Sequence, residues 1–520
     1  MACALHPLST IMNPTCTPTQ TGLLAHDFDP AYSPDGRLVF ASTRGNLDAA
    51  QPNFDYCGPQ RTPADPTKPN SNLYVYEPDP NNNGAPHIRQ LTYLLNMERF
   101  PSFMSDGRLI FTAEKREPGF YQLAIRRINL DGGDYHPLYA QRGTIGAYEA
   151  IYPVEIADKD FAAVFSNPKS LHGGGDLVVF NRSIGIDFRS TNAADYVIDP
   201  SVINPASPTY LEDGTNGTPD FFLHSLDDQV AQPSTIYTSP AALPGGRILV
   251  SIAQGNPTSF SGAYSIAVVD PENPTAAPHT LFPSGVEAVA VYARANKGVF
   301  VSSPDEPNGH TQITSGTLAA DITVLDMGVL ASLVFQNTPT GRPIEDPLPS
   351  FDIYEELPAD SATPAANFIA TDSVGWTGQV FVKRRLLGTV PLASDRSAHF
   401  QIPGGVPIVL HLPNTPQSMA GNFPRYQREE MEFGPGEVLN EAIGGHPDAP
   451  AVGGAPAQEN FFDGLCANCH GSVSGQQVDV AVRPDLLTQA SMVVSRGATP
   501  TNLNIPPGMR AAPVGPPATP

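Results

Sequence analysis

Two stretches of this chain repeat one another at a constant offset. His26-Asp-Phe-Asp-Pro-Ala-Tyr-Ser-Pro-Asp-Gly-Arg-Leu-Val-Phe40 is echoed by Arg99-Phe-Pro-Ser-Phe-Met-Ser-Asp-Gly-Arg-Leu-Ile-Phe111, so that Pro30 maps to Pro101, Asp35 to Asp106 and Phe40 to Phe111, each 71 residues on. Asp-Gly accepts the positive φ values of a tight hairpin turn, and each copy therefore reads strand, turn, strand. A third strand follows each copy, at Asn72–Tyr76 and Tyr121–Ile125. A weaker copy runs from Tyr237 to Val250 and continues into Tyr264–Val269, and Phe161–Asn181 and Glu287–Ser303 are degenerate copies. Small antiparallel sheets that cannot bury both faces alone imply radial stacking, which is a β-propeller. A β-sandwich that reuses Asp-Gly hairpins is the alternative. With Gly 45, Pro 56 and only 16% charged residues in 520, long helices are disfavoured. At about 45–70 residues per unit, residues 26–338 accommodate six blades.

The pattern changes near residue 340, where Pro339, Pro343, Pro347 and Pro349 form a linker. Strand-like runs then recur at Gly378–Lys383, His399–Ile402 and Pro407–Leu412, and residues 345–443 read as a small β-rich middle domain. Residues 1–25 are an N-terminal extension, and 444–500 form a Gly/Ala/Pro loop followed by a short helical attachment segment. Residues 501–520 read as a Pro-rich disordered tail.

That attachment segment holds the motif with the clearest chemistry, Cys466-Ala-Asn-Cys-His470. One helical turn between the thiols lets Cys466 and Cys469 form thioethers to the two vinyl groups of a haem, and His470 then offers its imidazole to the iron. A surface disulfide and a metal half-site are the competing readings, although no second CxxC supplies the remaining zinc ligands. One covalent haem c is therefore expected. Met492, 22 residues after His470, is a candidate distal ligand, as is His446; Met509 is expected to be mobile. Covalent haem attachment takes place outside the cytoplasm, so a periplasmic or otherwise extracytoplasmic location is expected. The opening Met1-Ala-Cys-Ala-Leu-His-Pro shows no basic n-region or apolar h-region, and Cys3 is a candidate lipid-anchored residue. Cys16 and Cys57 are the favoured disulfide pair, with connectivity left open.

The Ser-Pro-Asp-Gly-Arg copies resemble the blades of TolB-type propellers (PD40 repeats). Taken with Val382–Pro391, Asp395–Pro407, Phe433-Gly-Pro-Gly-Glu437, Glu287–Arg294, Ile322–Asp326 and the CxxCH, the chain resembles the hydrazine synthase alpha-subunit family over most of residues 26–470. The resemblance implies a propeller followed by a middle domain that carries a c-type haem, and carries over Cys466, Cys469 and His470 as haem-binding residues. A long insertion separates Pro435-Gly-Glu437 from the CxxCH, and only 50 residues follow His470, too few for the family's second haem domain.

A net charge of −23 would repel nucleic acid, so a general nucleic-acid binder is excluded. No apolar run reaches 18 residues, so no transmembrane helix is expected. Glu429, Glu430 and Glu432 read as a solvated face, Asp305-Glu306 as part of a turn, and Trp376 as core. The leading functional reading is an exported monohaem cytochrome-like protein working in electron transfer or small-molecule redox chemistry with a redox partner protein. The rivals are a propeller-based module that binds a ligand or protein with an ancillary haem, and a nitrogen-compound redox enzyme subunit.

Overall fold

A computed structural model describes residues 27–43, 71–78, 83–117, 120–139, 148–157, 160–167, 170, 173–181, 224–225, 235–271, 276–292, 298–302, 311–324, 327, 348–357, 368–370, 379–413, 426–427, 430–440 and 499–513. They are mainly β. The chain opens with an antiparallel sheet in sequential order, β1 (Asp27–Tyr32), β2 (Leu38–Ser42), β3 (Asn72–Pro78) and β4 (Pro86–Gln90). The same meander recurs as β5 (Glu98–Phe103), β6 (Leu109–Glu117), β7 (Phe120–Ile128) and β8 (His136–Tyr139), then as β9 (Glu149–Ala157), β10 (Asp160–Ser166), β11 (Asp176–Asn181) and β12 (His224–Ser225). A fourth copy comprises β13 (Thr235–Ala242), β14 (Ile248–Gln254), β15 (Ser265–Val269) and β16 (His279–Phe282). A single parallel pairing, Leu123 with Glu149, joins the second and third units into one eight-stranded sheet.

The repeated sequence makes the same turn each time. Ser33 N donates to Arg37 O at 2.9 Å, Met104 N to Arg108 O at 2.9 Å and Leu243 N to Arg247 O at 2.8 Å. Gly36 and Gly107 supply the required left-handed backbone at φ +90° and +89°. The prolines mark a second shared device. In each unit's first strand the residue before proline (Asp29, Phe100, Tyr152, Ser239) has φ between 51° and 56°, and the ladder shifts register beside it. These are β-bulges, which bend the first strand. First strands of successive units touch, β1 to β5, β5 to β9 and β9 to β13. Leu73, Val75, Leu109 and Phe111 fill the core between the first two units, and Ala162, Leu177, Ile248 and Val250 fill that between the third and fourth.

Four such units lie among the described residues, where six blades were expected. The described part of Glu287–Ser303 forms no strand; after it come β17 (Thr311–Ile313) and β18 (Ala319–Val324). The strands that follow are β19 (Ser350–Glu356), β20 (Phe368–Ala370), β21 (Gln379–Phe381), β22 (Arg384–Pro391), β23 (Ala398–Pro403), β24 (Ile408–His411), β25 (Glu437–Asn440) and β26 (Thr501–Asn502). One sheet runs β17-β25-β18-β23-β26 and another β22-β19-β24, while β20 pairs with β21 alone. Phe351, Ile353, Val390, Ile408 and Leu410 of the three-stranded sheet pack with Ile322, Phe400, Ile402 and Leu439 of the five-stranded one and with Leu503, just after β26. Phe351 and Phe400 meet edge to face at 5.5 Å.

Two expected boundaries are corrected here. The 26–338 unit ends earlier, because β17 and β18 pair with β25 and β23 of the second body. The tail expected to be disordered from 501 is ordered through 513: Thr501 and Asn502 pair with Phe400 and Gln401, and a 3-10 turn follows at Pro507–Met509. Apart from 499 and 500, the expected helical segment 444–500 lies outside the described residues, as do 1–25 and the Cys16–Cys57 pair.

Candidate functional site

Cys466, Cys469, His470, Met492, His446 and Trp376 lie outside the described residues. Met509 is described; it is 72% exposed on its turn. The structure does describe the mount from which the CxxCH stretch departs. Chain leaves β25 after Asn440, which pairs with Thr323, and re-enters at Thr501, which pairs with Phe400. Thr323 pairs in turn with His399, and Ile322 with Phe400. Exit and return therefore sit within one residue of each other along the ladder, at the same end of one sheet. Three interstrand spacings place them about 14 Å apart.

The return point is clamped. Leu503 occupies a notch left by Gly388, where a Cβ would come within 2.5 Å of the Leu503 Cδ2 atom. Arg510 donates to Glu355 Oε1 at 2.7 Å and to Ile505 O at 2.9 Å, and its side chain and that of Glu355 are both 1% exposed.

Two histidine–carboxylate pairs stand on the sandwich's outer faces. His399 Nε2 lies 2.6 Å from Asp321 Oδ1, on the row where the chain departs, and Gln401 Nε2 donates to the other Asp321 oxygen at 2.7 Å. His411 Nδ1 lies 2.9 Å from Asp352 Oδ2, and its ring is 4.4 Å from that of Tyr426. Such pairing fixes which ring nitrogen faces the carboxylate, as is needed for proton transfer or ligation at the other. Sequence reading gave these pairs no role, because each partner lies on a different strand, 78 or 59 residues away.

The exit strand is held by acids. Glu430 and Glu432, expected on a solvated face, are instead buried against the first two repeat units. Glu432 Oε2 accepts from Tyr93 N at 2.6 Å, and Glu430 Oε1 from Leu95 N and Asn96 Nδ2, both at 3.0 Å. Glu437 Oε1 accepts from Asp134 N at 2.9 Å and Thr311 Oγ1 at 3.0 Å, and its Oε2 accepts from Gly434 N at 2.7 Å. The correction has a simple cause: backbone amides left outside any ladder need acceptors, and these carboxylates provide them. Glu98 lies beside them, accepting from Asn72 Nδ2 at 3.0 Å and the Tyr135 hydroxyl at 2.9 Å.

Burial pushes Glu98 up to about 7 against its hydrogen bonds to Thr92, Asn72 and Tyr135. It pushes Glu437 to about 7 against the donors named above, and Glu432 also rises, through burial and the nearby Glu98 charge. Glu77 moves the other way: burial works against it, but Arg89 and Arg37 outweigh that. An acid whose folded pKa is raised binds more protons folded than unfolded, so its contribution is full below the unfolded value and is lost as pH rises. Stability should therefore fall as pH rises from about 4.5 to 7, with Glu98 and Glu437 each supplying on the order of 3 kcal/mol of the change and Glu432 adding in the same direction. The lowered Glu77 removes stability only on the acid side of that window. Thermal melts across pH 4–8 measure the slope, and Glu437→Gln should flatten it; a slope of opposite sign would contradict the assignment.

No family model matches the chain, and no curated protein matches it. Among solved structures, hydrazine synthase of Kuenenia stuttgartiensis is similar at 15% identity and a TM-score of 0.47, over 77% of this chain and 50% of that one. This chain thus spans about half the length of the protein it is compared with, and a likeness at this level bears on neither activity nor ligands.

Proposed function

We propose that this chain is an extracytoplasmic c-type haem protein in which the four-stranded units are blades of a TolB-like β-propeller and the β-sandwich mounts one covalent haem. The carrying observation is Cys466-Ala-Asn-Cys-His470. Two thiols one turn apart and an adjacent imidazole are the donor set that haem c requires. Cys466 and Cys469 would hold the porphyrin, and His470 would ligate the iron. The two anchored ends of the stretch support this reading, because they tether it to a rigid sheet. When bound, haem c supplies one-electron redox chemistry. The chain's own groups beside the mount, the His399–Asp321 pair and the buried carboxylates, can hold or move protons there. A redox partner protein and attachment outside the cytoplasm follow from the same reading.

The experiment is export of the chain with a cytochrome c maturation system. Haem should remain with the polypeptide through acid–acetone extraction, and its release would overturn the proposal. The distal side then separates carrier from catalyst, since a carrier has both axial positions filled. We expect the reduced protein to bind carbon monoxide rapidly, and Met492→Ala to leave that rate unchanged. Slow binding that becomes fast in Met492→Ala would make Met492 the sixth ligand and electron transfer the role.

A further inference from the structure

The fourth strands of the repeat units stand at equivalent outer edges, but they are finished differently. β4 carries Pro86 and Arg89, and the Arg89 guanidinium reaches across to Leu130 O of the second unit at 2.8 Å. Ile88 of the same strand is buried. β8 carries Pro137, and its Leu138 and Tyr139 are buried. β12 is only two residues long. Proline, charge, cover and brevity are the devices that blunt a sheet edge against pairing with another chain. β16 is as long as β8, yet it has no proline, formal charge or cover within it. All four residues of His279-Thr-Leu-Phe282 are exposed, and the strand pairs with β15 alone among the described residues.

Exposed apolar side chains continue along the chain from this edge. Leu281 is 45% exposed and Phe282 61%, and Val286, Val289 and Val291 follow at 54%, 80% and 95%. A bare run of large apolar residues beside an open edge marks an association surface. Charge decides what fits it. Residues 276–286 contain no Asp, Glu, Lys or Arg, and Glu287 is the single charged residue through 292, in a chain whose net charge is −23. Two such chains repel wherever acidic surface meets acidic surface, so they can approach closely only over a stretch like this one. A basic partner would find no run of acids to recognise. The strand is also self-complementary, because a two-fold axis lays it antiparallel on its own copy with apolar side chains facing apolar side chains.

We infer that β16 and the exposed valines after it form the contact surface of a homodimer, in which the four-stranded sheets of two fourth units join edge to edge into one continuous sheet. Each copy uses the same edge, so the contact closes at two and leaves none for a third. The strip is shorter than the about 20–30 residues a side of a standard interface, so the dimer is reversible, with a Kd on the order of 10 μM. The inference is independent of the haem assignment and would stand if that failed.

Sedimentation velocity of the purified full chain, from about 1 to 200 μM, tests it. Wild type should pass from monomer to dimer across that range. Added salt should leave the dimer intact or strengthen it, because salt screens the repulsion between the two acidic copies. Leu281→Lys and Phe282→Lys bring like charges together across the two-fold axis, and each should weaken dimerisation roughly tenfold or more. Both side chains are solvent-exposed, so neither change should lower the melting temperature of the dilute, monomeric protein. Amide hydrogen exchange at 279–282 should slow as the wild-type concentration rises. The inference is overturned if wild type stays monomeric throughout, which would leave the edge to a partner of different sequence. It is equally overturned if 279–282 are as protected at the lowest concentration, which would mean that the chain covers its own edge. Dissociation by salt, or lysine variants that dimerise as wild type does, would place the contact elsewhere and overturn it too.

Discussion

Cys466→Ser combined with Cys469→Ser should yield a folded protein that carries no covalent haem. Each thioether needs its own sulfur, and serine oxygen does not replace it, so haem staining after denaturation should fall to background. The scaffold should persist because its supports lie elsewhere. β25 is paired with β17 and β18, β26 with β23, and Leu503 and Arg510 are anchored by Gly388 and Glu355. Circular dichroism should therefore keep its β signature, separating loss of the cofactor from loss of the fold. Haem that stays attached in the double variant would refute the assignment of these cysteines.

Arg510→Ala should be the most destabilising single change near the C-terminal end of the described residues. It strands Glu355, whose second cation, Arg385, lies 3.7 Å away. Burial already raises the Glu355 carboxyl above its ordinary range despite both arginines, so removing the closer one leaves an expensive charge. Breaking one side of such a buried pair costs about 3–5 kcal/mol. Urea unfolding should register that loss, and adding Glu355→Gln should recover part of it, because the uncompensated charge disappears. A loss below about 1 kcal/mol, the scale of an exposed pair, would show that the tail is not held this way.

What the sequence revealed follows from how local each signal is. The Asp35-Gly36 and Asp106-Gly107 turns were legible because a left-handed residue must be glycine or a close substitute, and the prolines at 30, 101 and 240 marked strands that proved to carry bulges. The weaker copies at Phe161–Asn181 and Tyr237–Val250 proved to belong to the third and fourth meanders. Glu430 and Glu432 misled because their acceptor role is set by amides at Tyr93 and Leu95, more than 300 residues earlier in the chain. The domain boundary misled for the same reason: β18 looks like one more strand of the repeat until its partners, β23 and β25, are known. Proline content suggested a loose end after 501, but the backbone of Thr501–Asn502 completes a sheet edge and Leu503 fills a notch, neither of which composition records. The Cys466-Ala-Asn-Cys-His470 spacing proposes a chemistry, but it says nothing about where the motif sits, and the motif lies outside the described residues.

The single end of the sheet at which residues 441–500 depart and return has an evolutionary consequence. Where a stretch begins and closes at neighbouring fixed points, lengthening it costs little: each doubling of a flexible connection adds only about 0.6 kcal/mol of closure entropy. The strands on either side keep their partners whatever the length between them. A stretch inserted there can grow, shrink or be exchanged without renegotiating the core, so the sandwich can serve as a socket into which different segments are spliced.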